Sequence, residues 1–285
     1  MRILSYLHRG AAAWGVLESD GRIVDLKQAA PTLREALGQF GVEGIRTHFS
    51  AADRNMRLRL DEVDLLPVIP DPQKIVCIGL NYEAHRLEAK RAETRYPTLF
   101  PRWPTSQTAH GVDIPLPPES TQLDFEGEIA LVIGKSGRRI SKEDAWSHIA
   151  GYAPYNDASI RDWQYHTTQW GAGKNFDGTG AFGPWMATRD EIKDGQRLEL
   201  VTRLNGEEVQ RGNTDQLIFS IPTLVNYIST VMTLMPGDVI VTGTPAGVGV
   251  KREPPLFMKP GDRIEVEVIG LGRLENRIVA ATAAR

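Results

Sequence analysis

The stretch LDFEGEIALVIG, Leu123 to Gly134, decides how this chain is read. In an extended strand alternate side chains share a face. Phe125, Gly127, Ile129, Leu131 and Ile133 therefore line one side, and Glu126 and Glu128 share the other with Ala130 and Val132. A solvent-washed face stays polar along its length, whereas this one turns apolar within two residues. The segment reads as a strand buried on both faces, with two carboxylates at its start.

Two neighbouring carboxylates repel unless a cation offsets them. Glu126 and Glu128 could thus form half of a chelate for a hard divalent cation, although an E-x-E on an exposed edge strand is the commoner arrangement. Such a site needs another oxygen ligand. The next strand-like segment, GYAPYNDASIRDWQ, offers Asp157 where its apolar run gives way to polar residues. Carboxylates without histidine or cysteine partners favour Mg²⁺, Mn²⁺ or Ca²⁺ over zinc.

Composition narrows the classes. Of the 285 residues, 41% are hydrophobic and 24% charged, a balance that suits a soluble globular protein. A net charge of -3 gives none of the basic footprint that nucleic acid requires. No run reaches the roughly 18–20 apolar residues of a membrane span. MRILSYLHRG carries charge at once and has no apolar core of a secretory signal. Cys77, the one cysteine, lies in the apolar run KIVCIG and reads as inert packing. A cytoplasmic, disulfide-free protein is expected.

Residues 1–70 read as a small α+β unit, with strands in MRILSYLH, AAAWGVLES and IVDL and helices near Leu33–Phe40 and Gly44–Asn55. The three prolines of LLPVIPDPQ mark a linker, so a larger unit over 71–285 is expected. That remainder is rich in strands separated by glycine and proline turns. Ser141 and Asp144 suggest a capping box before KEDAWSHI, and Pro222 suits the first turn of a helix over PTLVNYISTVMTL. Strands without regular βαβ alternation argue for a β-rich α+β fold rather than a doubly wound sheet.

In GLNYEAHRLEAKR, His85 and Glu88 stand three apart and share a helical face. They are either a solvated pair or a base oriented by a carboxylate. The glycine-rich TGTPAGVGVK and GAGKNFDGTG fit neither nucleotide template, because the endings and the following helix those motifs need are absent. A glycine-rich turn can still hold a small carboxylate. There is no G-x-S-x-G elbow, which argues against a serine nucleophile.

Taken together and in order, IGLNYEAHRLE, DFEGEIALVIGK, GYAPYNDASIRDWQ, GKNFDGTGAFGPW, LNGEEVQRGNTDQLIFSI and MPGDVIVTGTPAGVG resemble the fumarylacetoacetate hydrolase family, from about Lys74 to Val279. The resemblance implies rolled mixed β-sheets around a metal site, preceded by a small N-terminal domain. It implies Glu126, Glu128 and Asp157 as metal ligands, His85 and Glu88 as the pair that activates water or moves protons, and Lys174 as an active-site lysine. Arg102, in LFPRWPTS, stands where many members carry a lysine facing the substrate, and Thr244 falls in the loop that holds a substrate carboxylate. The implied activity is Mg²⁺-dependent hydrolysis of a carbon–carbon bond in a 2,4-dioxo acid such as an acylpyruvate. Decarboxylation of a 2-oxo acid, isomerisation of an unsaturated hydroxy acid and hydration are the alternatives on the same platform; a non-catalytic ligand-binding relative is a further one, against which the intact His85–Glu88 pair and the three carboxylates argue. The implied partners are the 2-oxo or 2,4-dioxo acid and a second copy in a homodimer, with neither nucleic acid nor membrane.

Overall fold

The computed structural model describes residues 1–54 and 57–281. At its centre the strand Gly127–Ile133 is buried along its whole length. It pairs antiparallel with Ile149–Asp157 on one side and with Val239–Val241 on the other. Beyond Val239–Val241 lie Ile75–Gly79, running parallel to it, and then Thr98–Arg102. In the other direction Ile149–Asp157 meets Met186–Thr188, which meets Arg2–His8. The strands before the proline run thus continue the same mixed sheet, which holds thirteen strands among the described residues.

A second, five-stranded sheet covers one face of the first. Ile129, Leu131 and Ile133 share a core with Leu200 and Val266 of that sheet and with Leu224 and Ile228 of the helix Ile221–Val231. Ala130 and Val132 face the other way, into a core with Cys77, Val241 and Leu37. Both faces of the strand are therefore dry, which is why its alternation is apolar on each side. Truncating Leu131 to alanine would cost about 2–5 kcal/mol. Gly127 lets the sheets meet, since a Cβ there would lie 2.0 Å from Thr202 Oγ1.

The N-terminal helix spans Leu33–Ala51, and Gly41, with φ 61°, kinks it. That kink falls between the two helical segments read from the sequence; the expected end at Asn55 lies outside the described residues. Thr32 caps it by accepting the Glu35 N–H. Pro222 stands in the first turn of Ile221–Val231, as its fixed φ favours. The expected helix in KEDAWSHI is instead a 3₁₀ turn, Ala145–His148. Ser141 Oγ accepts the Asp144 N–H and donates to Asp144 Oδ2, but the chain is drawn at once into the buried strand Ile149–Asp157. Among the described residues no helix is long and apolar enough to cross a membrane.

Candidate active site

Register brings the three carboxylates together. Gly127 lies opposite Asn156 and Glu128 opposite Tyr155, and the Asp157 N–H donates to the Glu126 carbonyl at 2.8 Å. Asp157, at the end of its strand, thereby arrives beside Glu126 and Glu128. One carboxylate oxygen from each lies within 4.8 Å of the others, and all three residues are buried.

Buried carboxylates need partners. Lys174, at the end of the short helix Gly171–Lys174, donates to Glu126 Oε2 at 2.5 Å and to Asp157 Oδ2 at 2.7 Å. Arg161 reaches Asp124 Oδ2 at 2.8 Å and Glu126 Oε1 at 2.7 Å. Arg102 pairs with Asp157 Oδ1 at 2.5 Å. Burial pushes the Glu126 carboxyl up, but Lys174 and Arg161 outweigh it and hold the group at about 2. Burial would lower the Lys174 ammonium, and Asp157 and Glu126 reverse this and raise it.

Glu128 differs. It accepts the Gly243 N–H at 2.6 Å and has no ion-pair partner among the described residues. Burial, together with Asp157 and Glu126, pushes its carboxyl well above the usual range. Four buried carboxylates, Asp124 included, thus face three buried cations. The cluster has room for one more positive charge beside Glu128. With oxygen donors only, Mg²⁺, Mn²⁺ or Ca²⁺ fits the set better than zinc.

Glu126, Glu128, Lys174 and Thr244 line one cavity of about 230 Å³, and His85 lines it too. His85 and Glu88 lie on the short helix Glu83–Glu88, with His85 Nδ1 3.0 Å from Glu88 Oε2. Glu88 Oε1 accepts the Gly247 N–H at 2.9 Å, so the pair bridges its helix to the glycine-rich loop. Thr244 Oγ1 donates to the Gly127 carbonyl and accepts from Gln210 Nε2. Cys77 is buried, and burial pushes its thiol up, which suits packing rather than chemistry.

The family described as fumarylacetoacetate (FAA) hydrolase C-terminal matches residues 74–279. The chain belongs to the fumarylacetoacetate hydrolase family. It is 40% identical over 269 residues to the mitochondrial oxaloacetate tautomerase of Xenopus laevis, covering 92% of this chain and 84% of that protein. Against the oxaloacetate tautomerase of Homo sapiens the identity is 39%, over 91% of this chain and 84% of the relative. Among solved structures, a fumarylacetoacetate hydrolase from Exiguobacterium antarcticum aligns with TM-score 0.85 and 34% identity, covering 99% of this chain and 100% of that one. A maleylpyruvate hydrolase from Sphingobium, in complex with manganese(II) and pyruvate, aligns with TM-score 0.82 and 28% identity at the same coverage.

Arg102 departs from its sequence expectation. Its side chain is fully buried and, like those of Asp157 and Glu88, does not line the cavity; the guanidinium pairs with Asp157 and donates also to Ala158 O and Thr179 Oγ1. It is committed to Asp157 and does not face the cavity. Sequence reasoning missed Asp124, Arg161 and Gln164. Asp124 accepts the Gly249 and Val250 N–H groups at 2.8 and 2.9 Å and so ties Arg161 to the loop that walls the cavity. Arg161 Nη1 donates to Gln164 Oε1, and both residues line the cavity. The signal was present as an unbroken D-x-E-x-E alternation and an arginine in the Asp157 block.

Proposed function

We propose that this protein is a divalent-metal-dependent enzyme that interconverts the keto and enol forms of a short 2-oxo acid, with oxaloacetate as the first substrate to test. The observation that carries the reading is one small cavity lined by Glu126 and Glu128, whose oxygens cluster with that of Asp157, and by His85, whose Nδ1 is paired with Glu88. Relatives named oxaloacetate tautomerases, 38–40% identical over at least 91% of the chain, support it.

Glu126, Glu128 and Asp157 would hold the cation. When bound, it would withdraw electron density from the 2-oxo group and so acidify the adjacent carbon. Glu88 at Nδ1 favours the tautomer with its proton there, leaving His85 Nε2 free to accept one. His85 takes the proton from the carbon beside the carbonyl and returns it to the carbonyl oxygen, so composition is unchanged and the imidazole is regenerated. Lys174 adds fixed positive charge where negative charge develops.

A second reading, hydrolysis of a carbon–carbon bond in a 2,4-dioxo acid, is favoured by the same His85–Glu88 pair, which could deprotonate a water. The likeness to the maleylpyruvate hydrolase supports it. One experiment separates the two. Decay of enol-oxaloacetate absorbance is followed with Mg²⁺ or Mn²⁺, alongside pyruvate release from acylpyruvates and from oxaloacetate. Metal-dependent acceleration of enol decay without pyruvate supports tautomerisation, and pyruvate from acylpyruvates supports hydrolysis. No acceleration of either defeats both readings.

A further inference from the structure

The cavity carries more positive charge than its carboxylates use. Arg161 and Lys174 are committed to Asp124, Glu126 and Asp157. Lys90, Arg91 and Lys251 also line it, are exposed to solvent, and have no ion-pair partner among the described residues. The carboxylates lining the cavity are Glu126 and Glu128 alone among the described residues. A surplus of unpaired cations at the open side of a cleft concentrates anions there.

These three cations stand on backbone that is fixed. On the loop side, Val250 donates its N–H to Asp124, and the Arg252 guanidinium binds Gly247 O and Val209 O. Lys251 is held between those anchors. On the other side, the helix Glu83–Glu88 ends in a turn that Lys90 takes with φ 53°. The Lys90 N–H donates to Leu87 O and the Arg91 N–H to Arg86 O. Lys90 and Arg91 belong to the segment that carries the His85–Glu88 pair, and Lys251 to the loop that receives Glu88. Like charges on the two sides repel, and an anion placed between them removes that repulsion.

We propose that Lys251, with Lys90 and Arg91, binds a second anionic group at the end of the substrate remote from the carboxylate triad, making the enzyme selective for dicarboxylates. The inference rests on the 2-oxo acid reading above and adds the residues that set specificity. A monoanionic 2-oxo acid fills the chelating end but leaves the two sides of the mouth in mutual repulsion. A dianion joins them and favours the arrangement in which Glu88 meets the Gly247 N–H.

The test compares oxaloacetate with its 4-ethyl ester on the Mg²⁺-loaded protein. Wild type should prefer the diacid in kcat/KM, and that preference should weaken as salt is raised. Lys251→Ala should lower the diacid-to-ester ratio by about tenfold to a hundredfold, the range of one charge-assisted hydrogen bond, and Arg91→Ala should lower it in the same direction. Lys142→Ala, remote from the cavity, should leave the ratio unchanged. Turnover of both substrates with no preference in wild type, or an unaltered ratio in both Lys251→Ala and Arg91→Ala, overturns the inference while the 2-oxo acid reading stands. Turnover of neither substrate overturns the inference and the functional reading together.

Discussion

Glu126 and Glu128 stand two residues apart, yet neutralising them should move apo stability in opposite directions. Glu126 is held at about 2 against an ordinary 4.5, by Lys174 and Arg161 working against burial. A depressed carboxylate contributes stability that is present above its unfolded value and lost as pH falls toward the folded one. At neutral pH that contribution is about 3 kcal/mol, from about 1.4 kcal/mol per pH unit. Glu126→Gln removes it and leaves Lys174 and Arg161 undercompensated. Glu128 lies on the other side of the ledger. Its folded carboxyl is raised by burial and by Asp157 and Glu126, so folding becomes less favourable as pH climbs above the ordinary carboxylate range. Glu128→Gln abolishes that loss, and its amide oxygen can still accept the Gly243 N–H.

In chelator at pH 7, denaturant unfolding should therefore find Glu126→Gln destabilised by about 3 kcal/mol, and Glu128→Gln at least as stable as wild type. Near pH 4 the Glu128→Gln advantage should shrink, because wild-type Glu128 is protonated in both folded and unfolded chains. Saturating Mg²⁺ should reverse the order. Wild type gains about 2.7 kcal/mol at a hundred times its dissociation constant, and Glu128→Gln gains far less. If Glu128→Gln in chelator is as unstable as Glu126→Gln, Glu128 has an ionic partner and the charge argument for the metal site fails.

His85→Ala and Glu88→Gln should each slow turnover about a hundredfold or more, while Mg²⁺-dependent oxalate binding persists in calorimetry. The double variant should be about as slow as either single one, because the residues act as a unit; loss of oxalate binding in His85→Ala would reassign it to ligand positioning. Asp124→Asn should destabilise the fold by about 3–5 kcal/mol, the range for breaking a buried ion pair. Denaturant midpoints check this, and a loss under 1 kcal/mol would mean Arg161 is served by Glu126 alone. We also propose a homodimer; light scattering at micromolar concentration would contradict it by returning the 31.6 kDa of a single chain.

The carboxylate strand was legible because its burial is encoded locally: apolar residues on both faces admit no solvated side, and both faces proved dry. Asp157 was legible for a related reason, since it ends the next buried run and antiparallel pairing returns that end to Glu126. Arg102 was not. Local sequence places it at the end of Thr98–Arg102 but cannot say what lies beside it. The answer is Gly180, where a Cβ would lie 2.7 Å from the guanidinium carbon, so a distant glycine makes the space that admits Arg102 beside Asp157. Asp124 was hidden by a change of partner: Leu123–Asp124 pairs with Ser159–Ile160, whereas Gly127 onward pairs with Asn156 and beyond. One run of alternating acids therefore crosses two sheets, and Asp124 turns to Arg161 and the loop at Gly249 instead of joining the triad. The same division separates Glu126 from Glu128. Alternation fixes where each carboxylate sits. Its charge is set by Lys174, Arg161 and Gly243, brought from other parts of the chain, and only the fold decides that Glu128 receives a backbone N–H and no ion-pair partner among the described residues.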